Sequence, residues 1–137
     1  MKRFVLSIAL AAFSGITMAQ DVITGQFNEI KISGSAKVYV KQGQQSTITI
    51  TGQQNLAGIS VNNEKLHLSR VFSEPVYVVT PSLTDIDISG NGEIIMDSAF
   101  TIDELNFKVS GNGKSDINIK GGSIFLNVSG NYSGNMK

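Results

Sequence analysis

With 137 residues the chain has room for one domain, and its 11 Lys+Arg balance its 11 Asp+Glu, so it carries no basic footprint for nucleic acid. Cysteine is absent and histidine occurs once, which excludes a disulfide framework and leaves a zinc site without its usual donors. Stability has to come from a continuous apolar core and from backbone pairing.

Residues 1–19 read as a cleavable export signal. Lys2 and Arg3 give the positive start, Phe4 to Phe13 form an apolar stretch broken only by Ser7, and Thr17-Met18-Ala19 supplies small residues around a signal-peptidase site. The apolar run is about half of the ~20 residues that a spanning helix needs. Cleavage after Ala19 is therefore expected, with no transmembrane segment and no lipid-attachment cysteine in the mature chain, residues 20–137. Losing Lys2 and Arg3 leaves 9 cationic against 11 acidic side chains, a net charge of about −2.

The mature chain then alternates apolar and polar residues almost throughout. Ile30-Lys31-Ile32, Val38-Tyr39-Val40, Thr47-Ile48-Thr49-Ile50, Ile59-Ser60-Val61 and Leu66-His67-Leu68 share this period, as do Val76-Tyr77-Val78, Ile86-Asp87-Ile88, Leu105 to Val109, Ile117-Asn118-Ile119 and Leu126-Asn127-Val128. Period two puts one set of side chains inside and the other in solvent. The Gly, Asn, Ser and Pro residues between these runs are turn formers. No window holds a helical apolar stripe, so the fold class is all-β.

One tetrapeptide returns. Ile32-Ser33-Gly34-Ser35, Ile88-Ser89-Gly90-Asn91, Val109-Ser110-Gly111-Asn112 and Val128-Ser129-Gly130-Asn131 share a pattern, and the last three are spaced by 21 and 19 residues. Leu105-x-Phe107-x-Val109 aligns with Ile124-x-Leu126-x-Val128. Such self-similarity predicts a single-stranded β-helix, a β-solenoid with coils of about 20 residues. Residues 25–80 are the less regular part, read as a cap or as coils with longer excursions, and residues 81–137 hold the Ser-Gly-Asn segments. An antiparallel sandwich or barrel is the rival; it explains the alternation but not the returning tetrapeptide.

Phe27-x-x-Ile30-x-Ile32-Ser33-Gly34-Ser35, then Val38-x-Val40-x-x-Gly43, then the Ser-Gly-Asn segments, resemble the putative auto-transporter adhesin head GIN domain over residues 25–137. The resemblance implies a β-helical fold and a place outside the cytoplasm: periplasm, outer surface or extracellular space of a Gram-negative bacterium. It transfers no catalytic residues, and fold alone does not fix function. The chain stops at Lys137, just inside its fourth motif, so the C-terminal end reads as incomplete. That is expected of a fragment, or of an open edge that pairs with another chain in edge-to-edge self-association.

Setting the segments in register yields outward ladders. Asp87, Lys108 and Asn127 share one position and Asp85, Asn106 and Phe125 another, with Asp87 and Lys108 within reach of an ion pair. Asp85, Asp87, Asn106 and Lys108 are the candidate ligand-facing groups, against the plainer reading of a solvated strand face. Asn91, Asn112 and Asn131 form a ladder in the turn, read as structural. Ser33, Ser89, Ser110 and Ser129 occupy equivalent positions and are not read as nucleophiles. His67 points outward with no nucleophile elbow anywhere in the chain. Gly111 to Ile117 lacks both the nine-residue period of a calcium-binding repeat and the spacing of a phosphate loop. No cofactor or metal is expected. The reading is a non-enzymatic envelope or surface module contacting glycan or protein through a solvent-facing sheet. The alternatives are a polysaccharide-active enzyme using the Asp85/Asp87/Lys108 face, and a purely structural spacer.

Overall fold

The computed structural model describes residues 22–50 and 58–136; the export signal expected over residues 1–19 lies outside them. The period-two pattern becomes short strands: β1 (Val22–Thr24), β2 (Glu29–Ile32), β3 (Ser35–Gln42), β4 (Thr47–Ile50), β5 (Ile59–Asn62), β6 (Lys65–Leu68), β7 (Val76–Thr80), β8 (Asp85–Ile88), β9 (Asn91–Ile95), β10 (Phe100–Thr101), β11 (Glu104–Val109), β12 (Asn112–Ile117), β13 (Ile119–Lys120), β14 (Ser123–Val128) and β15 (Asn131–Met136). Among the described residues no helix is long and apolar enough to cross a membrane. In β3, Ala36, Val38 and Val40 are buried while Lys37 and Lys41 are exposed, as alternation requires.

One sheet (A) has the order β1-β4-β7-β3-β9-β12-β15 and the other (B) the order β14-β11-β8-β2-β6-β5, while β10 and β13 form a separate ladder. Their inward faces meet in one core. Ile32, Leu68, Ile88, Phe107 and Val109 from sheet B and Val38, Val76, Ile94 and Ile117 from sheet A are fully buried in it. β-Branched side chains dominate because they pack well on a pleated surface.

The expectation of a single-stranded β-solenoid is overturned. Coils of a solenoid would stack in chain order and pair in parallel, whereas both large sheets are mixed: β4 runs antiparallel to β1 and β7, and β5 antiparallel to β6. Order in space also departs from order in sequence, because β2 lies between β6 and β8, and β3 between β7 and β9. The cause is the chain between β3 and β7. It doubles back into β4, then makes a β5–β6 hairpin whose two-residue turn places Asn63 and Glu64 at φ 52° and 64°, the positive values that match the twist of the flanking strands. The next pair of strands, β6 and β7, therefore lands on the far side of β2 and β3. This accounts for the 56-residue gap between the Ser33-Gly34 and Ser89-Gly90 segments, which are nonetheless neighbours in space. A purely antiparallel sandwich is not what forms either, since β2, β3, β8, β9, β11, β12, β14 and β15 pair in parallel.

The Ser-Gly segments are the corners at which the chain passes from sheet B to sheet A. Backbone pairing continues through them: the Asn91 amide donates to the Gly34 carbonyl (2.8 Å), the Asn112 amide to Gly90 (2.8 Å) and the Asn131 amide to Gly111 (2.8 Å). The stack is so close that a Cβ on Gly90 would lie 2.2 Å from the Gly34 oxygen and 2.6 Å from the Ser33 oxygen. A further corner, Ser69-Arg70-Val71, extends the stack next to Gly34, with the Ser35 amide donating to the Arg70 carbonyl (3.0 Å). It escapes a search for Ser-Gly because Arg70 stands where the others have glycine. Among the described residues no corner of the same kind lies beyond it; Arg70 faces Gly58, whose own missing Cβ makes the room.

Few polar side chains enter the interior. Thr80 is fully buried, its hydroxyl donating to the Phe27 carbonyl (2.7 Å) and lying 3.1 Å from the Ser46 hydroxyl, which accepts from the Phe27 amide (3.3 Å). This knot ties the segment before β2 to the ends of β4 and β7. Two substitutions test the account by urea unfolding. Gly90→Ala should lower stability by about 1–3 kcal/mol, the range for forced overpacking. Thr80→Val should cost about 1 kcal/mol by removing the closer of the two hydroxyl donors to the buried Phe27 carbonyl, the other being Ser46 at 3.5 Å.

Candidate functional site

The outer face of sheet B carries two rows of side chains set by strand register. One row runs Ser60, His67, Lys31, Asp87, Lys108, Asn127; the other runs Asn62, Lys65, Glu29, Asp85, Asn106, Phe125. Neighbours within a row are separated by about 4.8 Å, the strand spacing. Asp85, Asp87, Asn106 and Lys108 therefore sit side by side, and they line an open groove of about 600 Å³ together with Lys31 and Phe125.

The charges do not pair as adjacency in the sequence motif suggests. Asp87 has a lysine on each side, and its carboxylate takes Lys31 (Nζ–Oδ2 3.4 Å) rather than Lys108. Lys65 lies 3.9 Å from Glu29. Among the described residues Lys108 has no ion-pair partner, so its ammonium remains available in the groove. Lys31 and Glu29 follow from the alignment of Ile32-Ser33 with Ile88-Ser89, which sets them beside Asp87 and Asp85, although the ladders read from the later segments leave them out. Lys65 lies outside that alignment because β6 is not followed by Ser-Gly, and the signal that would find it is the match of Ile30-x-Ile32-Ser33 with Leu66-x-Leu68-Ser69.

His67 finds a serine after all: its Nε2 is 2.7 Å from the Ser33 hydroxyl. The pair lacks the rest of a nucleophilic site. The amides of Ser33 and Gly34 both donate to the Leu68 carbonyl, so neither is free to stabilise an oxyanion. The ladder neighbours of His67 are Lys31 and Ser60, not an orienting carboxylate. It is a corner contact between adjacent strands.

On sheet A the turn residues Ser35, Asn91, Asn112 and Asn131 stand in one row, and Asn112 Nδ2 donates to Asn91 Oδ1 (3.0 Å). The row beside it, Lys37, Glu93, Lys114 and Ser133, completes the wall of a second open groove of about 580 Å³. Farther along, Tyr39 and Tyr77 stack with ring centroids 5.2 Å apart. The polar groups of both faces are part-exposed strand residues held by their backbone ladders, so removing one should leave the fold intact. Asp87→Asn and Ser33→Ala are each expected to shift the unfolding free energy by no more than about 1 kcal/mol, checked by denaturant titration.

Comparison with known proteins places these features. The family model described as "Putative auto-transporter adhesin, head GIN domain" matches residues 26–137. A putative adhesin from Parabacteroides distasonis superimposes with a TM-score of 0.70 at 27% identity, covering 87% of this chain and 55% of that one. A putative adhesin from Parabacteroides merdae gives a TM-score of 0.65 at 26% identity, covering 89% and 56%. A protein from P. distasonis described as a putative lipid binding protein shares the fold at 15% identity and a TM-score of 0.58, covering 84% and 61%. The chain thus spans little more than half the length of the first two structural relatives. A search of the curated proteins finds no match. The motif order, the all-β architecture and the match over residues 26–137 agree, and the chain belongs to the putative auto-transporter adhesin head GIN domain family.

Proposed function

We propose that this chain is a non-enzymatic, exported recognition module of adhesin type that binds glycan along the outer face of sheet B. The observation that carries the reading is the groove in which Asp85, Asp87, Asn106 and Lys108 lie beside the exposed ring of Phe125. Sugars present hydroxyls that need both donors and acceptors, and C–H faces that pack on aromatic rings. Asp85 and Asp87 supply acceptors, Lys108 a donor, Asn106 one of each, and Phe125 an apolar patch, all on a backbone that parallel pairing holds in place. A groove open along the strand rows suits an extended chain better than a small enclosed ligand.

The family's adhesin designation supports placement at the cell surface, and residues 1–19 supply a route of export in this reading. The Asn91, Asn112 and Asn131 ladder belongs to the corner, where its amides bridge strand to strand. A glycan array tests the proposal. The chain should bind at least one glycan class, and the combined Asp85→Ala, Asp87→Ala and Lys108→Ala variant should lose about tenfold or more in affinity, equivalent to ~1.4 kcal/mol, with an unchanged circular dichroism spectrum. Binding to no glycan would overturn it. Turnover of a polysaccharide that disappears in Asp87→Ala would replace it with an enzymatic role.

A further inference from the structure

Two tyrosines stand side by side in the body of sheet A. Tyr39 on β3 and Tyr77 on β7 are opposite each other in a parallel ladder, and their rings stack with an interplanar angle of 12°. Tyr77 is 43% exposed. The ammonium of Lys37 lies 5.6 Å from the centre of the Tyr39 ring, a cation–π contact. Lys41 follows two residues beyond Tyr39 on the same outward face, and both lysines are exposed. The row continues sideways to Thr49 on β4 and Ile95 on β9. β7 lies between β4 and β3, and β3 between β7 and β9. The cluster therefore sits on interior strands, each paired on both sides, and not at an end of the sheet.

Charge separates this face from that of sheet B. There Lys31 and Lys65 each meet a carboxylate, Asp87 and Glu29. On β4, β7 and β3 the outward strand positions hold Lys37 and Lys41 and no acid. Glu93 on β9 is opposite Lys37 but has Lys114 on its other side. Among the described residues neither Lys37 nor Lys41 has an ion-pair partner. Two open ammoniums, about 13 Å apart along one strand, thus flank a pair of aromatic rings, with the hydroxyls of Thr47 and Thr49 one strand farther on.

We propose that this face of sheet A is a second binding site, one that takes the chain of an acidic polysaccharide. Carboxylate or sulfate groups of the sugar chain meet Lys37 and Lys41, its C–H faces pack on the Tyr39–Tyr77 pair, and its hydroxyls bond the threonine and tyrosine hydroxyls. Two cations spaced along one strand suit charges that recur along an extended chain. A neutral glycan leaves both ammoniums without a counter-charge. An anionic lipid surface fits less well, because Val79 and Ile95 beside the tyrosines are half-buried and offer little apolar area to insert. The site shares no residue with the outer face of sheet B and does not depend on what binds there.

The probes are polygalacturonate, its fully methyl-esterified and therefore neutral form, and heparin as a sulfated chain. With three tyrosines and no tryptophan in the chain, tyrosine emission reads the site directly. At least one of the two acidic polymers should bind and change that emission, more weakly as salt is raised. The methyl ester should bind at least about tenfold more weakly than polygalacturonate if the carboxylate is what is read, and heparin tighter than both if it is the sulfate. Lys37→Gln combined with Lys41→Gln changes only exposed positions, so it should keep the native circular dichroism spectrum while losing about tenfold or more in affinity; Tyr77→Ala should lose affinity too. The combined Asp85→Ala, Asp87→Ala and Lys108→Ala variant should bind the acidic polymer as the parent chain does, which separates this site from the one on sheet B. The proposal is overturned if neither acidic polymer binds, if the double lysine variant binds as well as the parent chain, or if phosphatidylglycerol vesicles bind in place of the polymers.

Discussion

The corner at Gly34, Gly90, Gly111 and Gly130 leaves no room for a Cβ. Each of these glycines would place one 2.2–2.3 Å from the carbonyl oxygen of the residue stacked against it. That closeness is what allows the backbone ladder to run unbroken from sheet B through the corner into sheet A. Once the corner is in place, the register of both flanking strands follows, and with it the inward direction of Ile32, Ile88 and Val109 and the outward direction of Lys31, Asp87 and Lys108. A slip of one residue would turn the core face outward. Arg70 marks the limit of the constraint among the described residues: against Gly58, a large side chain is accommodated.

The charged face of sheet B inherits its geometry from this stacking. The partner of Asp87 is chosen by which strand lies on which side, and β2 lies beside β8 because the chain between β3 and β7 builds its strands on the other flank. Lys31 thus occupies Asp87, and Lys108 is left to the groove. The face gains little stability from these part-exposed charges. Rows of acceptors, donors and an aromatic ring are held by backbone that is rigid for other reasons, which is the condition a recognition surface needs. The likeness to two proteins described as putative adhesins, at 26–27% identity, bears on this shared scaffold.

The buried Thr80–Ser46–Phe27 knot belongs to the same division of labour. It lies where β3 and β7 give way to the irregular excursions, away from the corners, and it satisfies backbone groups that no strand partner reaches. Glycine-cornered parallel strands order one part of the molecule, and a small hydrogen-bonded cluster orders the part that the corners do not.

Local sequence by itself determined the strands, their inward and outward faces, and the alignment of the last three Ser-Gly-Asn segments. Those features depend on side-chain period and on glycine, which neighbouring residues decide. It also brought Asp85, Asp87, Asn106 and Lys108 together, because their strands β8 and β11 are successive strands of sheet B and pair directly. Only the tertiary structure decided that the strands form mixed sheets, that β2 inserts between β6 and β8, and that Lys31 rather than Lys108 neutralises Asp87. These outcomes hang on where the excursion between β3 and β7 lands, and that is set by a hairpin turn at Asn63-Glu64 and by long-range packing, neither of which leaves a periodic trace in the sequence.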